Sequence, residues 1–186
     1  MEAEYITVTE VAKLIRKALK KLYPDTKFNV RSEKYSMCTS IRINWKDGPT
    51  AKMVYAICDQ FTGSGFDGSI DLKYSWTSWL LPDGSTMIAD CRGTVGSKGC
   101  VEPMHNDKPH PDAKLVRFSN DHIDVRRDMS PEFAERALAA AERKFGKLDL
   151  KINLHNDGTA YLAGNMDHAV LARQVTSRFM SLSGKR

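Results

Sequence analysis

The stretch that decides the fold is residues 40–61, SIRINWKDGPTAKMVYAICDQF. Every second residue from 41 to 45 is apolar, which is the period of a strand with one buried face. Residues 47–49, Asp-Gly-Pro, end that strand, because glycine accepts a positive φ and proline cannot pair in a ladder. Thr50 follows as a helix N-cap, and apolar residues then recur at helical spacing. The stretch predicts a half-buried strand, a tight corner and an amphipathic helix.

An amphipathic helix is also predicted before this stretch. Thr7 and Glu10 have the spacing of a capping box, and apolar residues follow in a helical stripe from residue 8 to residue 22. Pro24 ends the helix. The basic residues fall mostly off the apolar stripe and form an outer face of Lys13, Arg16, Lys17, Lys20 and Lys21.

The middle of the chain is rich in predicted strands. Residues 27–31 and 40–45 are expected to pair as a hairpin, and residues 72–81 read as one apolar strand that returns through a turn to residues 86–89. Residues 62–71 are rich in glycine and read as a flexible turn. Residues 90–112 show no periodicity, which is typical of a functional or mobile loop.

The last third repeats the order of elements seen at the start. After short strands at 115–118 and 122–125, Ser130 caps a helix that ends at Gly146, residues 148–155 and 160–163 form a hairpin, and Asp167 caps a last helix. The predicted fold is α+β, with antiparallel sheets, helices on one face and two αββα-like segments flanking the strand-rich middle. We expect residues 1–128 to form one domain and residues 129–186 a C-terminal segment packed on the same core.

Composition limits the classes of protein to consider. The 186 residues carry a formal net charge of +5, and the basic excess lies toward the two ends of the chain. That balance favours an anionic partner. No apolar run approaches the roughly 20 residues that cross a bilayer, and the N-terminus lacks the apolar core of a signal peptide. The four cysteines are too few for a disulfide framework. We therefore expect no membrane association, reduced thiols and a location in the cytoplasm.

The sequence does not favour a zinc site, a phosphate cradle or a catalytic nucleophile. Cys91, Cys100, His105 and His110 lie close in sequence, but they lack the paired short spacings of a zinc site. A metal-dependent enzyme using the 90–112 loop therefore remains only a second alternative. Residues 63–68 match GxGxxG without the strand and helix that a phosphate cradle needs. No nucleophile motif is present, and Cys58 lies on an apolar helix stripe. We expect neither catalysis nor a cofactor or bound metal.

Binding through basic surfaces is the alternative that the charges favour. Lysine and arginine on one face bind phosphates and release counterions, and Tyr74, Trp76 and Trp79 are candidates for stacking on bases. A protein with an acidic surface fits the same charges. The candidate binding residues form two groups, one on the first helix and one later in the chain: Lys13, Arg16, Lys17, Lys20 and Lys21, then Arg126, Arg127, Arg143 and Lys144.

Several stretches together resemble the large polyvalent protein associated domain 29 family: AKLIRKALKKLYPDTKFNVRS, SIRINWKDGPT, FDGSIDL, WLLPDGS and KPHPDAKLVRF. They cover roughly residues 5–128. The resemblance implies a module from proteins of phages and conjugative elements, whose larger relatives are thought to enter the host with the invading DNA and blunt its defences. The resemblance assigns no functional residue to this chain.

The resemblance and the charges lead to one expectation. We expect a counter-defence protein of a phage or plasmid that acts by binding, for example as an inhibitor of a host CRISPR–Cas or other defence complex. A nucleic-acid-binding accessory module is the first alternative.

Overall fold

The structure, a computed structural model, describes residues 2–36, 38–92 and 104–164. Within these residues the chain forms three α-helices and twelve strands, and the α+β class predicted from the sequence is confirmed. A 3₁₀ turn at Asp59–Phe61 extends the second helix. The helices are α1 (Val8–Leu22), α2 (Ala51–Cys58) and α3 (Pro131–Phe145).

The described strands form four sheets, the largest of which is mixed. Its order is β1-β9-β6-β7-β8, and β1 runs parallel to β9 while the other neighbours are antiparallel. The second sheet has the order β10-β3-β2, and β11-β12 and β4-β5 are two-stranded. The strands are β1 (Glu4–Ile6), β2 (Asn29–Lys34), β3 (Thr39–Lys46), β4 (Ser64–Asp67), β5 (Leu72–Ser75), β6 (Thr77–Leu80), β7 (Thr86–Cys91), β8 (Met104–His105), β9 (Lys114–Phe118), β10 (His122–Asp128), β11 (Leu150–Leu154) and β12 (Ala160–Gly164).

The chain divides into two compact units. The first comprises Met1–Leu22, Val30–Ile43 and Ala56–Asp124, and the second comprises Tyr23–Asn29, Asn44–Tyr55 and Val125–Arg186. In the first unit the buried side chains include Phe61 and Phe118, whose rings meet edge to face at 5.9 Å. In the second, α3 packs on β11 and β12 through a cluster of Leu138, Ala141, Leu148, Leu150 and Leu162.

Local signals at the helix starts work as the sequence predicts. Thr7 Oγ1 and the Thr7 amide both donate to Glu10, at 2.7 and 2.9 Å, which closes the capping box of α1. Ser130 Oγ accepts from the Phe133 amide at 3.1 Å, so Ser130 caps α3. These bonds satisfy amides at the helix start that have no partner within the helix.

The corner after β3 is built by Asp47, Gly48 and Pro49. Asp47 and Gly48 both have positive φ, at 57° and 64°, and a Cβ on Gly48 would lie 2.9 Å from Thr26 Oγ1. Trp45, almost fully buried, donates its indole N–H to the Pro49 carbonyl at 2.9 Å. Thr50 Oγ1 then accepts from the third amide of α2. The corner is therefore held both by backbone geometry and by the tryptophan before it.

The structure also corrects parts of the predicted element pattern. Residues 72–81 do not form one strand, because the chain leaves β5 at Ser75 and enters β6 of another sheet at Thr77. The glycine-rich residues 62–71 are not a flexible turn, because Ser64–Asp67 forms β4 and pairs with β5. Leu22, expected on the buried stripe, is 56% exposed. The predicted last helix after Asp167 lies outside the described residues.

Candidate binding surfaces

The first candidate surface lies along the outer side of α1. Its basic residues lie at position 13, at positions 16 and 17, and at positions 20 and 21, so each group is three to four positions from the next and all share one helical face. The apolar residues Val11, Ile15 and Leu19 are fully buried on the other side. All the basic side chains of this helix are exposed: Lys13, Arg16, Lys17, Lys20 and Lys21.

Arg16 differs from the four lysines. Its guanidinium Nη2 donates to the Val30 carbonyl at 2.6 Å, so Arg16 ties α1 to β2. Among the described residues, no carboxylate lies within 4 Å of any of the four lysines, which we call the lysine face: Lys13, Lys17, Lys20 and Lys21. One carboxylate does interact with this face at longer range. Hydrogen bonds from Ser85 lower the pKa of Asp83, and the positive charge of Lys21 lowers it further.

The second group of basic residues is engaged with its own neighbours. Arg126 Nε lies 3.1 Å from Asp128, and Arg143 Nε donates to the Ala139 carbonyl at 3.3 Å. The Arg127 guanidinium lies over the Phe133 ring, 5.4 Å from its centroid, and burial lowers its pKa. The side chain of Lys144 lies outside the described residues. This group belongs to the second unit, whereas the lysine face belongs to the first.

The outer face of the five-stranded sheet is a second candidate surface, which the sequence analysis missed. Strand β9 alternates between buried Val116 and Phe118 and outward Arg117. Arg117 pairs with Tyr5 of β1, Thr77 of β6 pairs with Asp90 of β7, and Asp90 pairs with His105 of β8. Directly paired residues point to the same side of a sheet. Because Arg117 and Thr77 also line one pocket, these side chains form a polar row, which we call the sheet face: Tyr5, Arg117, Thr77, Asp90 and His105.

A small pocket of about 190 Å³ opens on the sheet face, lined by Ser75, Trp76, Thr77, Asp90, Arg92 and Arg117. Arg117 Nη2 donates to Ser75 Oγ at 2.7 Å, which fixes one guanidinium at the rim. Arg92 Nε lies 3.4 Å from Asp90 Oδ2, and the Arg92 side chain is 90% exposed. The pocket therefore combines two cationic groups, one carboxylate and an indole ring.

The three aromatic residues that the sequence suggests for base stacking differ in exposure. Trp79 is 8% exposed and donates its indole N–H to the Asn106 carbonyl at 2.9 Å, so its ring belongs to the core. Tyr74 and Trp76 are partly exposed, with ring centroids 5.9 Å apart. Trp76 alone of the three lines the pocket.

The cysteine and histidine residues considered for metal chemistry form no common site in the part of the chain that the structure describes. Cys91 is 2% exposed, His105 Nδ1 lies 3.9 Å from Asp90, and Cys100 lies outside the described residues. No three acidic, cysteine or histidine side chains of the described residues are grouped so as to hold a metal ion. Burial, with Asp59 nearby, raises the pKa of the Cys58 thiol to about 12, so this thiol stays protonated and unreactive.

The fold and its surfaces define a basic α+β protein with exposed cationic faces. The chain belongs to the large polyvalent protein associated domain 29 family, whose model matches residues 6–130. This result confirms the family resemblance found in the sequence and covers the lysine face and the sheet face except for Tyr5. Neither a curated protein nor a solved structure matches the chain. None of the described helices is long and apolar enough to span a membrane.

Proposed function

We propose that the chain is a binding protein of a mobile genetic element that obstructs a host defence complex, such as a CRISPR–Cas complex, by docking its lysine face on an anionic surface. Membership of the family supports the link to mobile elements. The observation that carries the proposal is the lysine face itself, because its four ammonium groups are exposed and, among the described residues, have no carboxylate within 4 Å.

Two pairs of these lysines repel each other in the free protein, while Lys20 and Lys21 gain from their place in the last turn of α1, where cations favour the helix dipole. Lys13 and Lys17, and again Lys17 and Lys21, are four positions apart on α1. Like charges at this spacing destabilise a helix by about 0.2–0.5 kcal/mol per pair. An anionic partner removes that repulsion when it binds.

A nucleic-acid-binding accessory module is the alternative, and its supporting observation is the pair of arginines and the indole ring at the pocket of the sheet face. Phosphates and an acidic protein surface attract the same ammonium groups, but they differ in salt dependence. Binding to nucleic acid weakens steeply with salt because condensed counterions are released.

Affinity capture from a bacterial lysate tests the proposal. We expect the wild-type protein to retain one host complex after nuclease treatment, and we expect the double variant Lys17→Glu/Lys20→Glu to lose it. The matched control is Lys46→Glu/Lys52→Glu, which makes the same change of charge at exposed lysines outside both basic groups. Capture that nuclease abolishes would favour the alternative. Equal capture by both double variants would remove the lysine face from the binding surface.

A further inference from the structure

The sheet face has a chemical character different from that of the lysine face. Two guanidinium groups, of Arg92 and Arg117, lie at one pocket beside the ring of Trp76. Tyr5 is paired with Arg117 on the neighbouring strand and is 64% exposed. Guanidinium groups bind phosphate in a planar, bidentate geometry, and exposed aromatic rings stack on bases. We propose that the sheet face binds single-stranded nucleic acid, with Tyr5 and Trp76 stacking on bases and Arg92 and Arg117 binding phosphates.

Arg117 is placed for such a contact before any ligand arrives. Its Nη2 donates to Ser75 Oγ at 2.7 Å, so the guanidinium is oriented at the rim of the pocket. Neighbouring strands lie about 4.8 Å apart, which sets the Tyr5 side chain directly beside it. A base stacked on Tyr5 therefore brings its own backbone within reach of Arg117. Ordering these groups in advance reduces the entropy lost on binding.

The size and lining of the pocket favour a segment of a polymer over a whole small molecule. Its volume is about 190 Å³, whereas ligand pockets usually measure about 300–1,000 Å³. Asp90 adds a carboxylate that accepts hydrogen bonds from N–H groups of bases, such as N3–H of thymine, and Thr77 adds a hydroxyl. Such a pocket suits one base or one phosphate, while the rest of the strand continues along the row toward Tyr5.

The two aromatic rings favour single-stranded nucleic acid over a duplex and over a phosphorylated peptide. In a duplex the base faces are already stacked on one another, so Tyr5 and Trp76 have nothing to stack on unless the strand is single. A phosphorylated peptide would use the arginines and leave both rings without a role. The sheet face shares no residue with the lysine face, so the two surfaces can be tested separately.

The test uses a fluorescent oligothymidylate of about ten nucleotides, within the range that one single-strand binding site covers, titrated with the full-length protein by fluorescence anisotropy. We expect Tyr5→Ala to weaken binding about five-fold or more, as the loss of one stacked base does. Tyr5→Phe keeps the ring and is expected to bind as the wild type. Because Tyr5 is exposed at an edge strand, neither change removes a core contact.

The salt dependence of binding tests whether Arg117 contacts a phosphate. We expect Arg117→Gln to reduce the slope of log K against log salt by about 0.7, the value for one phosphate contact on a single strand. Lys114→Gln, on the same strand but outside the sheet face, is expected to leave the slope unchanged. The inference is overturned if the wild type does not bind the oligonucleotide, or if Tyr5→Ala and Arg117→Gln bind like the wild type, whatever the effect of Lys17→Glu/Lys20→Glu. It is also overturned if a phosphoserine peptide binds more tightly than the oligonucleotide.

Discussion

Replacing Asp121 should destabilise the first unit more than replacing any exposed acid nearby. The Asp121 carboxylate is 12% exposed and accepts from the Thr39 amide at 3.0 Å, Ser64 Oγ at 2.9 Å and Lys73 Nζ at 2.5 Å. Hydrogen bonds to charged groups contribute about 1.5–3 kcal/mol each. The Lys73 side chain is 53% exposed and returns to water when its partner is removed, so two bonds count fully. We expect Asp121→Ala to lower the free energy of unfolding by about 3–6 kcal/mol.

Urea unfolding followed by tryptophan fluorescence measures this loss. The matched control is Asp124→Ala, because the Asp124 carboxylate is 65% exposed and lies 3.6 Å from Arg42 Nε. Exposed ion pairs contribute about 0–1 kcal/mol, so we expect the control to stay within that range. If Asp121→Ala changed the free energy of unfolding no more than Asp124→Ala does, the three hydrogen bonds would not hold this part of the unit together.

The same carboxylate makes stability depend on pH. Burial opposes its ionisation, but hydrogen bonds from Lys73, Thr39 and Ser64 outweigh that effect and lower the pKa of Asp121. A lowered pKa in the folded state adds stability above the unfolded pKa of about 3.9 and loses it as pH falls through the folded value. We expect the free energy of unfolding to fall more steeply below about pH 4 in the wild type than in Asp121→Asn. Parallel pH profiles for the two proteins would contradict this reasoning.

Three further predictions concern the corner and the core. Trp45→Ala should lower the free energy of unfolding by about 3–5 kcal/mol in urea, and Trp45→Phe by less; equal losses would mean that the buried ring area does not matter. Gly48→Ala should cost at least about 1–2 kcal/mol by calorimetry, because φ is positive and Thr26 Oγ1 lies 2.9 Å from the new Cβ. Cys58, with a pKa of about 12, should resist iodoacetamide at neutral pH in the native protein and react in urea, as mass spectrometry would show; rapid labelling of the native thiol would refute its burial.

The sequence predicts an element well where the signal is local. Residues 41–45 alternate strictly, and the structure buries Ile41, Ile43 and Trp45 as that period requires. The capping residues Thr7, Thr50 and Ser130 act within three positions of themselves, so their roles follow from the residues that come next. These features need no knowledge of the rest of the chain.

Strands whose partners lie far away in the sequence cannot be predicted from local patterns. Strand β1 has only three residues, and its partner in the parallel pair, β9, begins more than a hundred positions later. Nothing in the sequence Glu-Tyr-Ile distinguishes a short edge strand from an unstructured lead into α1. The prediction of one strand over residues 72–81 was wrong for a related reason. The segment has no glycine, proline, asparagine or aspartate to show that Trp76 divides two strands of different sheets.

The lysine face can be predicted from local sequence, whereas the sheet face depends on distant strand partners. A helix has one period, so the positions of Lys13, Lys17 and Lys20 relative to the apolar stripe determine their common face before any tertiary contact is known. The sheet face is assembled from positions 5, 77, 90, 105 and 117, which lie on five different strands. In β9, alternation alone marks Arg117 as outward, but it cannot say which strand lies beside it. The neighbours come from strand pairing, and the chemistry of the surface, an arginine between a tyrosine and an indole ring, exists only after those pairs have formed.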